Sequence, residues 1–349
     1  MISKMRQDSN QRIIYLDLLR VIATFAVIFL HGATSEFYAP ISSVSWYISA
    51  VENSLARWCV PVFVMISGAL LLDPNKEVTC QDVLKRRIPR LLLAYVFWTV
   101  FYIMHNFIFW NWDAFSIRHL IRRSIVIPAA HLWFLPLLMC LYLLIPILRK
   151  ITQDKGIVRY ALIIWIVYVF GSFLQFIDGF KMVRHFYSFF NGNSILGFTG
   201  YFLLGYFLSQ QEFSKRQRVW IYLMGIGGAL VTIIGTFHIY DLTGEASERY
   251  FDNISLQVVA MATALFVLAK ELAPKCGALM KKFIAFVRKD LFGVYLIHAL
   301  WLFIVDKDVL RHCCSEIITL PLITIIVFLL SLFTTKLIRS IPYLRKVVE

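Results

Sequence analysis

The sequence predicts an all-α, polytopic integral membrane protein. Of its 349 residues, 59% are hydrophobic and only 16% are charged, and the mean hydropathy is +0.71. Soluble domains typically contain about 25% charged and 45–50% apolar residues. Apolar runs of about 20 residues, long enough to cross a bilayer as helices, recur along the whole chain. Since no polar stretch is long enough for a separate soluble domain, we predict a single membrane domain over 1–349 with its core at 13–335.

About ten transmembrane helices are expected from the lengths of these runs and their Lys/Arg boundaries. They are predicted near 13–34, 45–72, 89–109, 126–148, 157–177, 194–209, 217–238, 254–270, 291–306 and 316–335. The stretch 110–125, with two tryptophans and three arginines, is typical of an interfacial segment rather than a span. The first run is too long for a signal-peptide core and lacks a small-residue cleavage site, so we expect it to remain as a signal anchor.

The distribution of Lys and Arg predicts the orientation of the chain. With the N-terminus inside, 25 of these residues fall in inside segments and 8 in outside segments, while Arg20 and Arg57 lie within spans. Positive charge gathers in cytoplasmic loops, so both termini are expected to be cytoplasmic. The formal net charge of +14 is explained in this way, and no nucleic-acid partner is expected.

Motifs for metal, disulfide and nucleotide chemistry are missing from the sequence. The six cysteines form no CxxC pair and no metal-binding spacing, so neither a disulfide framework nor a metal site is indicated. HExxH, Walker A and GxGxxG motifs are also missing. Nucleotide-driven transport by this chain alone is therefore unsupported.

The conspicuous polar residues of the first span are Asp17, Arg20 and His31. Residues three apart share a helix face, so Asp17 and Arg20 are positioned to form an ion pair. Arg20 and His31 are eleven residues apart, which is about 20° past three turns and roughly 16 Å along the axis. Both side chains therefore lie on one stripe, with Arg20 nearer the cytoplasm and His31 deeper, toward the outer leaflet.

Two interpretations of this stripe follow from the residues. Charged groups inside a membrane cost free energy, so they usually face the protein interior and mark function. Alternatively, Asp17 and Arg20 form a purely structural pair, and His31 caps the helix near the outer interface. The residues of the first span fit both interpretations equally well.

Polar residues at the end of the second span and the start of the third form further candidate sites. Ser67 and Gly68 lie in an apolar helix, where small residues allow close packing. Arg86, Arg87 and Arg90 lie at the cytoplasmic mouth of the third span. They are either a positive-inside cluster or an anion site, because guanidinium groups bind phosphates well.

The fourth and ninth spans contribute aromatic and histidine candidates. His131 and Trp133 are expected at the outer membrane interface. Tryptophans are common there as part of an aromatic belt, so the position of Trp133 does not by itself require a functional role. Tyr295 and His298 are one turn apart in the ninth span. A histidine in an apolar helix is more often hydrogen-bonded in the core than catalytic, so a structural role is favoured for His298.

Taken in order, these motifs resemble the membrane-bound acyltransferase-3 family over about residues 13–335. The resemblance is carried by LDLLRVIATFAVIFLH, VFVMISGALLL, LKRRIPRLLLAYVFW, HLWFLPLLMCLYLLIP and FGVYLIHAL. Within the family, the chain is most similar to bacterial O-acetyltransferases of surface polysaccharides such as the enterobacterial common antigen. The sequence departs from the family at two places. Ala69 stands where an aromatic residue is common. Leu92 and Leu93 follow Arg90, where family members often have a proline.

The resemblance implies an O-acyltransferase of the bacterial inner membrane. The donor would be acetyl-CoA, and the acceptor a hydroxyl of a cell-surface glycan or its lipid-linked precursor, with membrane lipid as surroundings. It also implies that Arg20 and His31 are essential, supported by the third-span arginines. The sequence leaves open the acceptor sugar, the acyl length, direct transfer against an acyl-enzyme, the membrane side of transfer and the oligomeric state.

In the mechanism that we expect, coenzyme A phosphates bind Arg86, Arg87 and Arg90. His31 is the general base, Asp17 orients Arg20, and the remaining candidates give substrate or structural support. The alternatives are a transporter or flippase, whose buried charges line a permeation path, and a sensor or scaffold that tolerates substitution of Arg20 and His31.

Overall fold

The computed structural model describes residues 2–38, 44–76, 78–110, 131–174, 194–305 and 315–349. These residues form helices joined by short turns, and no strand occurs among them. The all-α prediction is therefore confirmed. The predicted interfacial segment 110–125 lies outside the described residues from 111 onward.

Thirteen helices of seven or more residues occur in the described part of the chain, numbered here α1 to α13. In chain order they are Ile2–Phe37, Val44–Ala56, Cys59–Leu71, Ile88–Trp110, Phe134–Leu143, Ile145–Ile151, Lys155–Leu174, Ser194–Gln210, Lys215–Thr243, Leu256–Leu272, Ala278–Val287, Leu291–Ile304 and Glu316–Ser340.

Within the described residues, each predicted span overlaps one of these helices or an adjacent pair. Residues 126–130, 175–177 and 306 of the predicted spans lie outside the described residues. Six helical segments of the described chain are long and apolar enough to cross a membrane, or seven when the bent pair α5–α6 counts as one span. Two shorter apolar helices are Ile195–Gln210 and Leu291–Ile304. The exact number of ten spans and the cytoplasmic termini stay predictions.

Several helix ends are explained by their sequences. Ser214 caps the start of α9 in a reciprocal capping box with Gln217, which satisfies backbone donors that the helix leaves open. Gly244 ends α9 with a φ of 71°, a left-handed conformation that glycine adopts without steric cost. At the junction of α5 and α6 the chain bends by 55°, with Pro146 in the first turn of α6.

The centre of the bundle is α1, which packs against α2, α3, α10, α12 and α13. Its polar stripe therefore faces protein. By contrast, α7 and α9 expose large apolar side chains such as Val167 and Ile234, which are 66% and 62% exposed. An apolar exterior of this extent suits lipid, and the protein is a multi-pass membrane protein.

Helices α3 and α8 cross at backbone contact. A Cβ atom at Gly68 would lie 1.8 Å from the carbonyl oxygen of Phe202, and one at Gly205 would lie 2.0 Å from that of Met65. The packing interpretation of Gly68 is thus confirmed, because only glycine permits this approach. The crossing fixes the position of the α3 face that carries Phe63 and Ser67, two side chains that line a cavity described below.

Candidate active site

The predicted ion pair of the first span is present. Arg20 Nη1 donates to Asp17 Oδ1 at 2.9 Å. The other oxygen of the same carboxylate lies 3.4 Å from Nη1 of Arg288, which precedes α12. Asp17 is 5% exposed, so this nearly buried carboxylate ties α1 to the start of α12.

A cavity of about 570 Å³ opens beside this ion pair. Seven basic side chains line it, and we call it the basic cavity: Arg20, Arg87, Arg90, Arg288, Lys289, Arg339 and Arg345. Three of these residues were predicted as site residues. The other four come from the short connection between α11 and α12, from the last turn of α13 and from the segment after it.

Arg86, the third predicted phosphate ligand, lies outside the basic cavity. Its side chain is 83% exposed and pairs with Asp82 at 3.3 Å. Consecutive residues on a helix point about 100° apart, whereas residues three apart share a face. Arg87 and Arg90 therefore line the cavity together while Arg86 points away.

Two carboxylates balance part of the charge of the basic cavity. Asp290, which is 0% exposed, accepts hydrogen bonds from Lys336 at 2.6 Å and from Arg339. The side chain of Glu349 lies 3.0 Å from Arg339 and 2.7 Å from Arg345. Even with these acids, the lining carries an excess of positive charge, and such a surface favours phosphates.

The main-chain oxygen of Glu349 accepts a hydrogen bond from Arg90. Trp98 of α4 donates to the carbonyl of Val347 at 2.9 Å, and Val347 and Val348 are buried. The segment after α13 therefore packs against α4 and forms one wall of the basic cavity.

Three histidines from three helices meet farther along α1, and we call them the histidine cluster. The ring centres of His31 and His298 are 5.3 Å apart, those of His131 and His298 are 5.1 Å apart, and those of His31 and His131 are 6.3 Å apart. His131 and His298 are 4% and 0% exposed. His31 retains intermediate exposure, which leaves it the most accessible ring of the three.

Hydrogen bonds to the backbone hold two of the three rings. His131 Nε2 donates to the carbonyl of Leu296 at 3.3 Å, and His298 Nδ1 donates to that of Tyr295 at 2.5 Å, since a carbonyl can only accept. Tyr102 also donates to the Leu296 carbonyl, at 2.7 Å. The cluster is thus a packed set of rings with defined orientations.

Tyr295 connects the two regions. Its side chain lines the basic cavity, its hydroxyl donates to the backbone carbonyl of His131, and its ring centre lies 6.0 Å from that of His298. The basic cavity and the histidine cluster are therefore separated by a single aromatic side chain at this point.

Two further predicted site residues have different surroundings. Ser67 lines the basic cavity and donates to the carbonyl of Phe63 at 3.1 Å. Trp133 is half-buried and packs with its ring centre 6.0 Å from that of Phe198. It does not line the basic cavity, and its contacts indicate a packing role between α5 and α8.

Arg57 was predicted to lie within a span, without an assigned role. Its charge interacts electrostatically with the ring of His31. It donates to Asn53 Oδ1 at 2.6 Å and sits 3.9 Å from the centre of the Phe251 ring. Within the described residues, no group of three or more His, Cys, Asp or Glu side chains is arranged to hold a metal ion.

The site residues that the sequence interpretation missed are Arg288, Lys289, Arg339 and Arg345. They belong to Lys/Arg clusters at the predicted cytoplasmic ends of spans. The Lys/Arg distribution that predicted the orientation of the chain therefore also includes these cavity-lining residues. The meeting of His131 and His298 with His31 had no comparable signal, because each histidine is isolated in an apolar segment.

The fold and the site define a polytopic membrane protein in which a cavity lined by seven basic side chains borders a cluster of histidines. Residues 13–338 match the family described as an acyltransferase domain, Acyl_transf_3. Because the match covers nearly the whole chain, the protein belongs to the acyltransferase-3 family and is a membrane acyltransferase. Comparisons with curated proteins and with solved structures found no match.

Proposed function

We propose that this acyltransferase moves an acetyl group from acetyl-CoA to a hydroxyl of a cell-surface glycan or its lipid-linked precursor, in a bacterial inner membrane. The observation that carries the proposal is the cavity with seven basic side chains, which borders the histidine cluster at Tyr295. Such a transfer needs a binding site for a polyanionic donor and a general base. The charge of the basic cavity supports the first role, and the imidazoles of the histidine cluster support the second.

Arg87 and Arg90 bind phosphates of coenzyme A in this proposal, together with the cations from α13 and from the start of α12. Guanidinium groups make paired, charge-assisted hydrogen bonds to phosphate. The pantetheine arm then runs along α1 toward His31, a distance of roughly 16 Å from Arg20 at 1.5 Å per residue. The aromatic and apolar lining next to Tyr295 suits this uncharged arm.

His31 removes the proton from the acceptor hydroxyl, and the hydroxyl oxygen attacks the thioester carbonyl. The carbon–sulfur bond breaks, and the coenzyme A thiolate takes the proton from His31. An imidazole suits this role because its proton affinity is matched to neutral pH, and general base catalysis typically contributes about 10²–10⁴-fold to the rate.

The test uses purified protein in lipid nanodiscs, with acetyl-CoA, CoA and dephospho-CoA. We expect acetyl-CoA and CoA to raise the melting temperature, since a ligand that binds the folded state stabilises it. Dephospho-CoA, which lacks one phosphate, should stabilise the protein less. A transporter of glycans, or a scaffold, would show no response to any of the three compounds.

The acceptor is tested in the host. Mass spectrometry of surface glycans is expected to show an acetyl ester that disappears when the gene is deleted and returns with the wild-type protein. Unchanged glycan acetylation after deletion would contradict the proposed acceptor class, while the thermal response to acetyl-CoA would still test the donor.

A further inference from the structure

His298 has an unused nitrogen at the point where the three histidines meet. Its Nδ1 donates to the Tyr295 carbonyl at 2.5 Å, so in the neutral ring Nε2 is an acceptor. That nitrogen is buried and has no hydrogen-bond partner within the described residues. A buried acceptor without a partner costs free energy, which makes this atom a candidate for a contact formed during the reaction.

The ring of His31 is placed to supply the missing donor. The two ring centres are 5.3 Å apart with an interplanar angle of 37°. In an imidazole–imidazole hydrogen bond the nitrogens lie about 3 Å apart, and they stand at the ring edges, so the ring centres are farther apart than the nitrogens. A ring-centre distance of 5.3 Å is therefore compatible with a hydrogen bond between the two rings.

His131 is the other ring near His298, and its N–H is already used. Its Nε2 donates to the Leu296 carbonyl, so the neutral ring has only an acceptor left at Nδ1. An acceptor cannot satisfy Nε2 of His298. Of the three rings, His31 is therefore the one with an N–H to donate.

We propose that His298 is a positioning residue for His31, with its Nε2 accepting a hydrogen bond from a ring N–H of His31. This bond fixes the tautomer and the orientation of His31, so that its other nitrogen faces the acceptor hydroxyl as a base. A third group orients the general base in catalytic triads in the same way. The inference rests on the proposed function, because it assigns His31 the role of base.

Two conservative variants separate this role from a structural one. In His298→Asn the amide nitrogen replaces Nδ1 and keeps the bond to the Tyr295 carbonyl, but the acceptor at Nε2 is lost. In His298→Gln the amide oxygen reaches the position of Nε2 and keeps the acceptor, while the bond to Tyr295 is lost. A positioning role and a structural role therefore predict opposite orders of activity.

The measurement is acetyl transfer from radiolabelled acetyl-CoA to host glycans in membranes with equal amounts of protein. We expect His298→Asn to lower kcat by about 10²-fold or more with little change in KM for acetyl-CoA, by analogy with loss of the orienting group in triads. His298→Gln should retain at least ten times the activity of His298→Asn. Equal activities, or higher activity in His298→Asn, would overturn the proposal.

A second measurement needs no variant at the site. In wild-type protein with ¹⁵N-labelled histidine and bound CoA, NMR should detect coupling between two ring nitrogens across an N–H···N hydrogen bond. Its absence in the bound wild-type protein overturns the proposal.

The two proposals fail in different ways. Wild-type protein without acetyl transfer would contradict the proposed function. If wild type is active, His31→Ala is inactive and His298→Asn keeps the wild-type kcat, only the role of His298 is wrong.

Discussion

The basic cavity and the histidine cluster lie at two levels of α1, and their interactions differ in kind. The cavity distributes its charge over seven basic side chains. One of them, Arg339, also pairs with the buried Asp290, which Lys336 contacts as well. The cluster consists of three histidine rings in contact with one another, and two of them are almost fully buried. Binding of a polyanion by many cations is additive in nature, whereas proton transfer depends on one correctly placed atom. Single substitutions should therefore have graded effects in the cavity and severe effects in the cluster.

The largest effect is expected from His31→Ala. Loss of the proposed general base should lower kcat by about 10²–10⁴-fold, measured as acetyl transfer in membranes with matched protein levels. The acetyl-CoA-dependent rise in melting temperature should persist, because the proposed donor site lies in the basic cavity, at the other level of α1. His105→Ala is the control, since His105 contacts Phe303 on the outside of the cluster and its loss should leave activity near wild type. Retained activity in His31→Ala would show that His31 is not the general base.

A change in donor affinity is expected from the double variant Arg87→Gln with Arg90→Gln. Charge-assisted hydrogen bonds contribute about 1.5–3 kcal/mol each when buried, and screening in an open cavity reduces this, so we expect KM for acetyl-CoA to rise about tenfold or more. Arg86→Gln is the matched control, because its side chain is 83% exposed and outside the cavity. Equal KM values for the control and the double variant would show that these two arginines do not bind the donor.

A loss of stability is expected from Asp290→Asn. Its carboxylate is 1% exposed and contacts two cations, whose side chains are 35% and 26% exposed. Removing one partner of a buried ion pair costs about 3–5 kcal/mol. Because the two cations are partly exposed, we expect a loss of about 3 kcal/mol, at the lower end of that range. The checking measurement is the melting temperature in nanodiscs. An unchanged melting temperature would mean that Lys336 and Arg339 find other partners or solvent.

The smallest effect is expected at the helix crossing that supports the cavity wall. Gly68→Ala places a Cβ against the Phe202 carbonyl, and overpacking of this kind costs about 1–3 kcal/mol. Gly227→Ala is a matched control on α9, because a Cβ there meets nothing within 4 Å. We expect a lower melting temperature for Gly68→Ala alone. If both variants melt like wild type, the crossing tolerates a shift and does not fix the wall.

Local patterns in the sequence predicted part of the site correctly. The spacing of Asp17 and Arg20 predicted their ion pair, and the small residue at Gly68 predicted close packing. Both are consequences of helical geometry or of a single side chain, so no knowledge of the neighbouring helices was needed. The second partner of Asp17, Arg288, lies on a distant segment, and its approach depends on how α12 packs against α1.

The sequence by itself determined the all-α membrane class and the shared stripe of Arg20 and His31, because hydropathy and helical periodicity are local properties. Only the tertiary structure decided that Arg87 lines the cavity while Arg86 points away, since that choice depends on how the helix is rotated in the bundle. It also decided that His131 and His298 join His31. Three isolated histidines on separate helices become one cluster only through packing contacts between residues far apart in the chain, and no periodicity encodes those.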